Sequence, residues 1–219
     1  MTKLLPGTYR SQRDNKDLPL ASCNTTAVVM ALEASGFPPS LIKGLPDGKQ
    51  PEDFLTEFGD SPGTYEAMKT LCPWFFGPTD KGLPAVKGAE NDPNVFPLCR
   101  PPEAPLMLPW IIERTYGKKL LKFLGHFDSG ICFSLVESGL AAVVDGTFTS
   151  EGHYLAVVGY EFVDEVAGAP RAITAWRVRD PWGDWNTKYS DENGDGVSIA
   201  ADVFKTLASK SMLAVVRPV

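Results

Sequence analysis

The strongest nucleophiles in the sequence are four thiols, Cys23, Cys72, Cys99 and Cys132, and the groups best suited to take a proton from one near neutral pH are two imidazoles, His126 and His153. A thiol attacks as the thiolate. A helix N-terminus favours that anion through its unpaired N–H groups and partial positive charge, so the thiol to look for opens a helix. Cys23 does: Ser22 stands before it as a cap, residues 23–35 read as the helix, and Gly36 supplies the stop. Cys72 falls at the end of an expected helix and Cys99 in a proline-rich loop. Cys132 lies early in another expected helix and is the one rival, but its neighbours Ile131 and Phe133 read as packing residues.

Of the two imidazoles, His153 follows Gly152 and opens the apolar run Tyr154-Leu155-Ala156-Val157-Val158-Gly159-Tyr160, which reads as a central strand with the ring at its mouth. His126, between Gly125 and Phe127, reads as a loop residue. A third member follows from strand pairing. The strands beginning at His153 and at Ala172 are joined by a short connection over 164–170 and should form a hairpin, in which the numbers of opposite partners add to a constant. With the turn centred on Val166 and Ala167, Asp180 falls opposite His153, on the same face and with Cβ atoms ~5 Å away, close enough to hold the imidazole N–H. The expected constellation is a Cys23–His153–Asp180 triad.

The elements that must position these groups change character along the chain. Residues 27–34 are apolar on nearly every face, so the Cys23 helix is expected in the middle of the protein. Residues 37–110 are rich in Pro and Gly, with short helices over 51–58 and 62–71, each opened by a proline. Further helices are expected over 106–116, ending at Gly117, and over 128–137, capped by Asp128 or Ser129 and ended by Gly139. After Gly139 the segments 140–144, 153–163, 172–179 and 212–216 are β-branched and aromatic, and read as strands of one antiparallel sheet. The fold class is α+β: one domain over 1–219, with a helical lobe over about 1–138 and a β-rich lobe over about 139–219.

Composition narrows the function. With 219 residues and 43% apolar side chains, the chain can bury a substantial core. A formal net charge of -6 without a long basic cluster excludes nucleic acid as a natural partner. No apolar run has the ~18 residues of a membrane span, and residues 1–10 lack the apolar stretch of a secretory signal. The expectation is a soluble product made in the cytoplasm, released by lysis or carried in a virion if it acts outside. The cysteines have no CxxC spacing, so a structural metal site is not expected and the thiols are read as free.

Four stretches together resemble the bacteriocin-leader-type (double-glycine) peptidases of the papain-like superfamily, and especially their stand-alone bacterial and phage relatives. They are Gln12 in Tyr9-Arg10-Ser11-Gln12-Arg13-Asp14-Asn15, then Ser22-Cys23-Asn24-Thr25-Thr26-Ala27, Gly152-His153-Tyr154 through Gly159-Tyr160, and Arg179-Asp180-Pro181-Trp182-Gly183. The residue after Cys23 is Asn24, where the family often has Gly. The resemblance implies a two-lobe papain-like fold with Cys23 as nucleophile, His153 as base, Asp180 as its orienting carboxylate and Gln12 as an oxyanion donor beside the Cys23 amide. Without the resemblance, Gln12 reads as a solvated loop residue.

The expected activity is therefore hydrolysis of amide bonds through a thioester, without a cofactor. The expected substrate is a peptide bond of bacterial peptidoglycan, with association to a phage particle among the partners. A specific protein or leader peptide is the alternative substrate. A virion component that only binds, and a transglutaminase-like transferase using the same three residue types, are rival readings. Asp191, Asn193 and Asp195, in Asp191-Glu192-Asn193-Gly194-Asp195-Gly196, resemble the front of a calcium loop with Asp202 at its close; the absence of a preceding helix favours a turn over calcium. Trp182 and Trp185 are candidates for a cleft wall or for core packing.

Overall fold

The computed structural model describes residues 1–16, 18–64, 67, 104–163 and 172–218. Cys72, Cys99, most of the expected helix over 62–71 and the 164–170 connection lie outside the described residues. The protein is α+β. An antiparallel seven-stranded sheet runs in the order β2-β7-β3-β4-β5-β6, with β1 paired to β4 off that path. The strands are β1 (Thr2–Leu4), β2 (Leu121–Gly125), β3 (Ala142–Gly146), β4 (His153–Val163), β5 (Ala172–Arg179), β6 (Val197–Ala200) and β7 (Ser211–Val215). The helices are α1 (Cys23–Ala34), α2 (Pro51–Gly59), α3 (Ala104–Tyr116), α4 (Ser129–Glu137) and α5 (Ala201–Leu207).

Helix α1 is the buried centre. Val28, Val29, Met30, Ala31 and Leu32 have no exposed surface, so its apolar circumference is matched by burial on every side. Each of the larger side chains contributes about 1.5–3 kcal/mol by leaving water. The helix packs on β3 and β4, and ends as expected at Gly36, whose φ of +86° suits glycine. Its start differs from expectation. Ser22 makes no side-chain cap; its hydroxyl instead accepts from Asn15 Nδ2 (2.8 Å), while its carbonyl accepts from the Thr25 and Thr26 hydroxyls. The Thr25 and Thr26 hydroxyls and the Asn15 amide nitrogen are thereby bonded in the interior around the first turn of α1.

Two further helix ends follow the sequence. Pro51 opens α2 in its first turn, and Asp128 caps α4 by accepting from Ile131 N–H at 2.8 Å. Helices α4 and α5 pack on an aromatic cluster of the sheet: Phe133 of α4 meets Tyr160 at 5.1 Å and Phe204 of α5 meets Trp176 at 6.2 Å between ring centroids.

The sheet takes in β1 and β2 from the first 138 residues as well as the strands that follow Gly139. The β4–β5 hairpin forms, but its register differs from the expected one. Ala156 pairs with Arg179 and Val157 with Val178, and irregularities fall at Val157/Gly159 and Glu161/Phe162. Continued by one residue, that register sets Asp180 across from Leu155, two residues along from His153. The two irregularities offset each other, since the partner numbers add to 335 both at Val163–Ala172 and at Ala156–Arg179; the whole register is centred one residue further along the chain than the midpoint taken from the sequence.

Candidate active site

The mouth of β4 holds the site. His153 sits opposite Gly146 at the end of the β3–β4 ladder and is 4% exposed; Asp180 just follows β5 and is fully buried. Because His153 and Leu155 share a face of the strand, the shifted register still leaves Asp180 diagonal to His153 on that face. The imidazole Nε2 lies 2.7 Å from Asp180 Oδ1. Nε2 is thus committed to the carboxylate, which leaves Nδ1 for the third partner. That partner is Cys23, half-buried at the first turn of α1, whose sulfur is hydrogen-bonded with the ring. Burial opposes the charged imidazolium, but the charge and hydrogen bond of Asp180, aided by those of Cys23, outweigh it and push His153 up to about 10.

The carboxylate is held from several sides. Its Oδ1 also accepts the Trp182 N–H (2.9 Å), the Asp180 N–H donates to Gly194 O (2.9 Å), and the Asp180 carbonyl accepts the Tyr9 hydroxyl (3.1 Å). Gly194 has to be glycine here, because a Cβ would lie 2.0 Å from the Asp180 carbonyl oxygen. Just before it, buried Arg179 donates to the carbonyls of Leu5, Pro6 and Gly7 and to Asp195. The chain's early residues brace the segment after β5 in the same way. Arg13 donates to Trp182 O (2.8 Å), Tyr189 O (3.2 Å) and Glu192 (2.9 Å), and its guanidinium lies 4.4 Å from the centroid of the Trp182 ring.

Gln12 is no solvated loop residue: it is 2% exposed. Its backbone N–H donates to Pro181 O (2.9 Å), next to Asp180, and its side-chain Nε2 donates to Pro19 O (2.9 Å). That carbonyl fixes the amide's orientation, since the flipped form would set two oxygens against each other. Nε2 carries a second hydrogen, and Oε1 is buried without a partner among the described residues.

The rival groups fall elsewhere. Cys132 is fully buried, and burial with the Asp128 charge pushes its thiol up out of the reactive range. His126 is exposed in the bend after β2. In the acidic loop, the Asp191 and Asn193 side chains accept from the backbone two residues on, and the Asp195 carboxylate is paired with Arg179 at 2.9 Å. Among the described residues no three His, Cys, Asp or Glu side chains gather as a metal-ligand set. Asp202 lies in the first turn of α5. Trp185 packs at the edge of the core, and Trp182 is half-buried under Arg13.

Sequence reasoning missed two features. Tyr189 sets its ring edge-on to His153, with centroids 6.3 Å apart and planes at 78°. Behind the site, Asp145, Tyr154 and Ser211 lie side by side across β3, β4 and β7. Burial pushes the Asp145 carboxyl up to about 6 despite Lys210 and His153. Paired strands bring these residues together, and no local pattern announces that. Comparisons of the chain with protein-family models, with curated proteins and with solved structures return no match. The site is therefore read from its own chemistry.

Proposed function

We propose that the protein is a cysteine hydrolase of papain-like fold, in which Cys23 attacks an amide carbonyl and the acyl group passes through a thioester to water. One observation carries the reading: His153 is bonded through Nε2 to buried Asp180 while its ring also meets the thiol that opens a buried helix. A structural histidine needs one partner, and a general base needs a nucleophile on one nitrogen and an orienting group on the other.

The steps follow from those contacts. His153 holds on Nδ1 the proton that Cys23 gives up, so thiolate and imidazolium face each other before substrate arrives, and Asp180 orients the ring and stabilises its charge. The thiolate adds to the carbonyl carbon. The developing oxyanion is met by the Cys23 amide, one of the N–H groups that lack an intrahelical acceptor in a first turn, and by the second Nε2 hydrogen of Gln12. The imidazolium protonates the leaving amine. His153 then draws a proton from water, which attacks the thioester and frees Cys23.

For the substrate we take the peptide bonds of bacterial peptidoglycan, on the resemblance of the Gln12, Cys23, His153 and Asp180 stretches to stand-alone bacterial and phage peptidases. The test is incubation of wild type and Cys23→Ser with purified cell walls, with new termini identified by mass spectrometry. New amino termini from wild type alone are the expected result. No release from walls of several chemotypes would redirect the search to a protein substrate, and equal labelling of all four thiols by iodoacetamide would remove the enzyme reading.

A further inference from the structure

The loop after β5 carries a second feature directed at the site. Lys188 (φ 55°, ψ 38°) and Tyr189 (φ 64°) are consecutive left-handed residues, and neither is glycine or asparagine. Two L-residues in that region are held by surrounding contacts, and such backbone gathers where a side chain must be presented in a particular way. The contacts are visible. The Tyr189 N–H donates to Asp184 O (3.0 Å), its carbonyl accepts from Arg13 (3.2 Å), and its hydroxyl donates to Phe148 O (3.3 Å). The side chain so tethered turns its ring edge-on to His153. Its phenol is pushed up by burial and by the nearby Asp180 and Cys23 charges, so it stays neutral at the carboxylate's side.

We propose that Tyr189 is a positioning residue: its ring, fixed by the left-handed turn and by the Arg13 and Phe148 tethers, closes the His153–Asp180 hydrogen bond to water and so keeps Nδ1 aimed at Cys23. This rests on the hydrolase reading for its purpose, though not for its geometry. A hydrogen bond shielded from solvent is stronger electrostatically, because water neither screens it nor competes for its partners. Gln12, Trp182 and Gly194 hold the backbone around the carboxylate; Tyr189 brings its ring against His153.

The backbone conformation supplies a clean variant. Tyr189→Gly removes the ring at a φ that glycine adopts freely, so folding is retained. Tyr189→Phe keeps the ring and loses only the hydroxyl, with its bond to Phe148 O and its interaction with Asp180. The readout is the Nε2 proton of His153, followed by NMR in protein with labelled histidine, where His126 is the sole other ring. Exchange of that proton with water should quicken roughly ten-fold or more in Tyr189→Gly, as expected when a closed cover becomes an open one. In Tyr189→Phe it should stay within about three-fold of wild type, and in Arg13→Ala, which frees the Tyr189 carbonyl, it should move in the glycine variant's direction. Unchanged exchange in Tyr189→Gly, or equal acceleration in the glycine and phenylalanine variants, overturns the assignment. Wild type that cuts no substrate and shows no preferred thiol sinks the hydrolase reading and leaves the ring-proton result standing.

Discussion

If His153 is an imidazolium held between a carboxylate and a sulfur, its coupling to Asp180 must depend on pH, and the structure sets the size. A folded-state value raised from the ordinary 6.5 to about 10, at 1.36 kcal/mol per pH unit, corresponds to at most about 5 kcal/mol of stability. Because the folded value lies above the unfolded one, that stability is fully present below pH ~6.5 and is lost as pH rises through about 10. Cys23 supplies part of it, so about 2–4 kcal/mol falls to the His153–Asp180 pair, in keeping with the cost of breaking a buried ion pair. The perturbation is a double-mutant cycle of His153→Gln and Asp180→Asn, which cancels the separate loss of the Asp180 bond to Trp182 N–H. Urea unfolding of the four proteins at pH 6 should give that coupling energy. At pH 11 it should fall to about 1 kcal/mol, the worth of a neutral hydrogen bond. A coupling below about 0.5 kcal/mol at pH 6, or one that is flat from pH 6 to 11, would refute the charged pair.

Other expectations test separate parts of the site. Gly194→Ala should displace the Asp180 carbonyl that a Cβ would strike, lowering turnover of the proposed hydrolase at least ~10-fold; unchanged turnover would show that Asp180 tolerates movement. In native protein, iodoacetamide followed by peptide mapping should modify Cys23 and spare buried Cys132, and comparable rates at the two would contradict their environments. Asp145 is protonated more readily in the folded than in the unfolded chain, so its ionisation costs stability as pH rises from about 4 to about 6. Asp145→Asn should accordingly gain on wild type by up to about 3 kcal/mol between pH 3 and pH 7 in denaturant titrations, and a gap independent of pH would exclude that cost. Arg179→Met should lower unfolding free energy by about 3 kcal/mol or more, since it leaves Asp195 and the Leu5, Pro6 and Gly7 carbonyls without their donor; a loss under 1 kcal/mol would make the arginine dispensable.

What could be read from the sequence was what local pattern determines. The helix opened by Cys23, its glycine stop, the Asp128 cap and the extents of β4 and β5 are set by neighbouring residues, and they stand where those residues point. The short strands β1 and β2 were not legible, because three residues are too few to show a period, the five of β2 do not alternate, and pairing with β4 and β7 is what makes them strands. Strand β6 and helix α5 were hidden for a similar reason, as four and seven residues give too little periodicity to stand out from the loop before them. At the site, the spacing of His153 and Asp180 sufficed to suggest contact even though the register lay two residues off, because a diagonal pair on one face is still within reach. Burial of Gln12 and the approach of Tyr189 depend on partners more than 160 and about 40 residues away respectively, and no window of sequence contains both ends. Ser22 shows the reverse: a residue of the right type at a helix start was drawn into a different bond by Asn15.

Strand β4 carries the imidazole at one end, pairs with β5 along one edge, and with β3 and then β1 along its length. Such a strand cannot fray by itself, since releasing it means parting three neighbours and uncovering α1 at once. Its amides should exchange only through opening of the entire molecule, and heat should extinguish the chemistry at the same temperature as the tertiary structure. A protein built this way has no partly melted form: each molecule is either whole or lost.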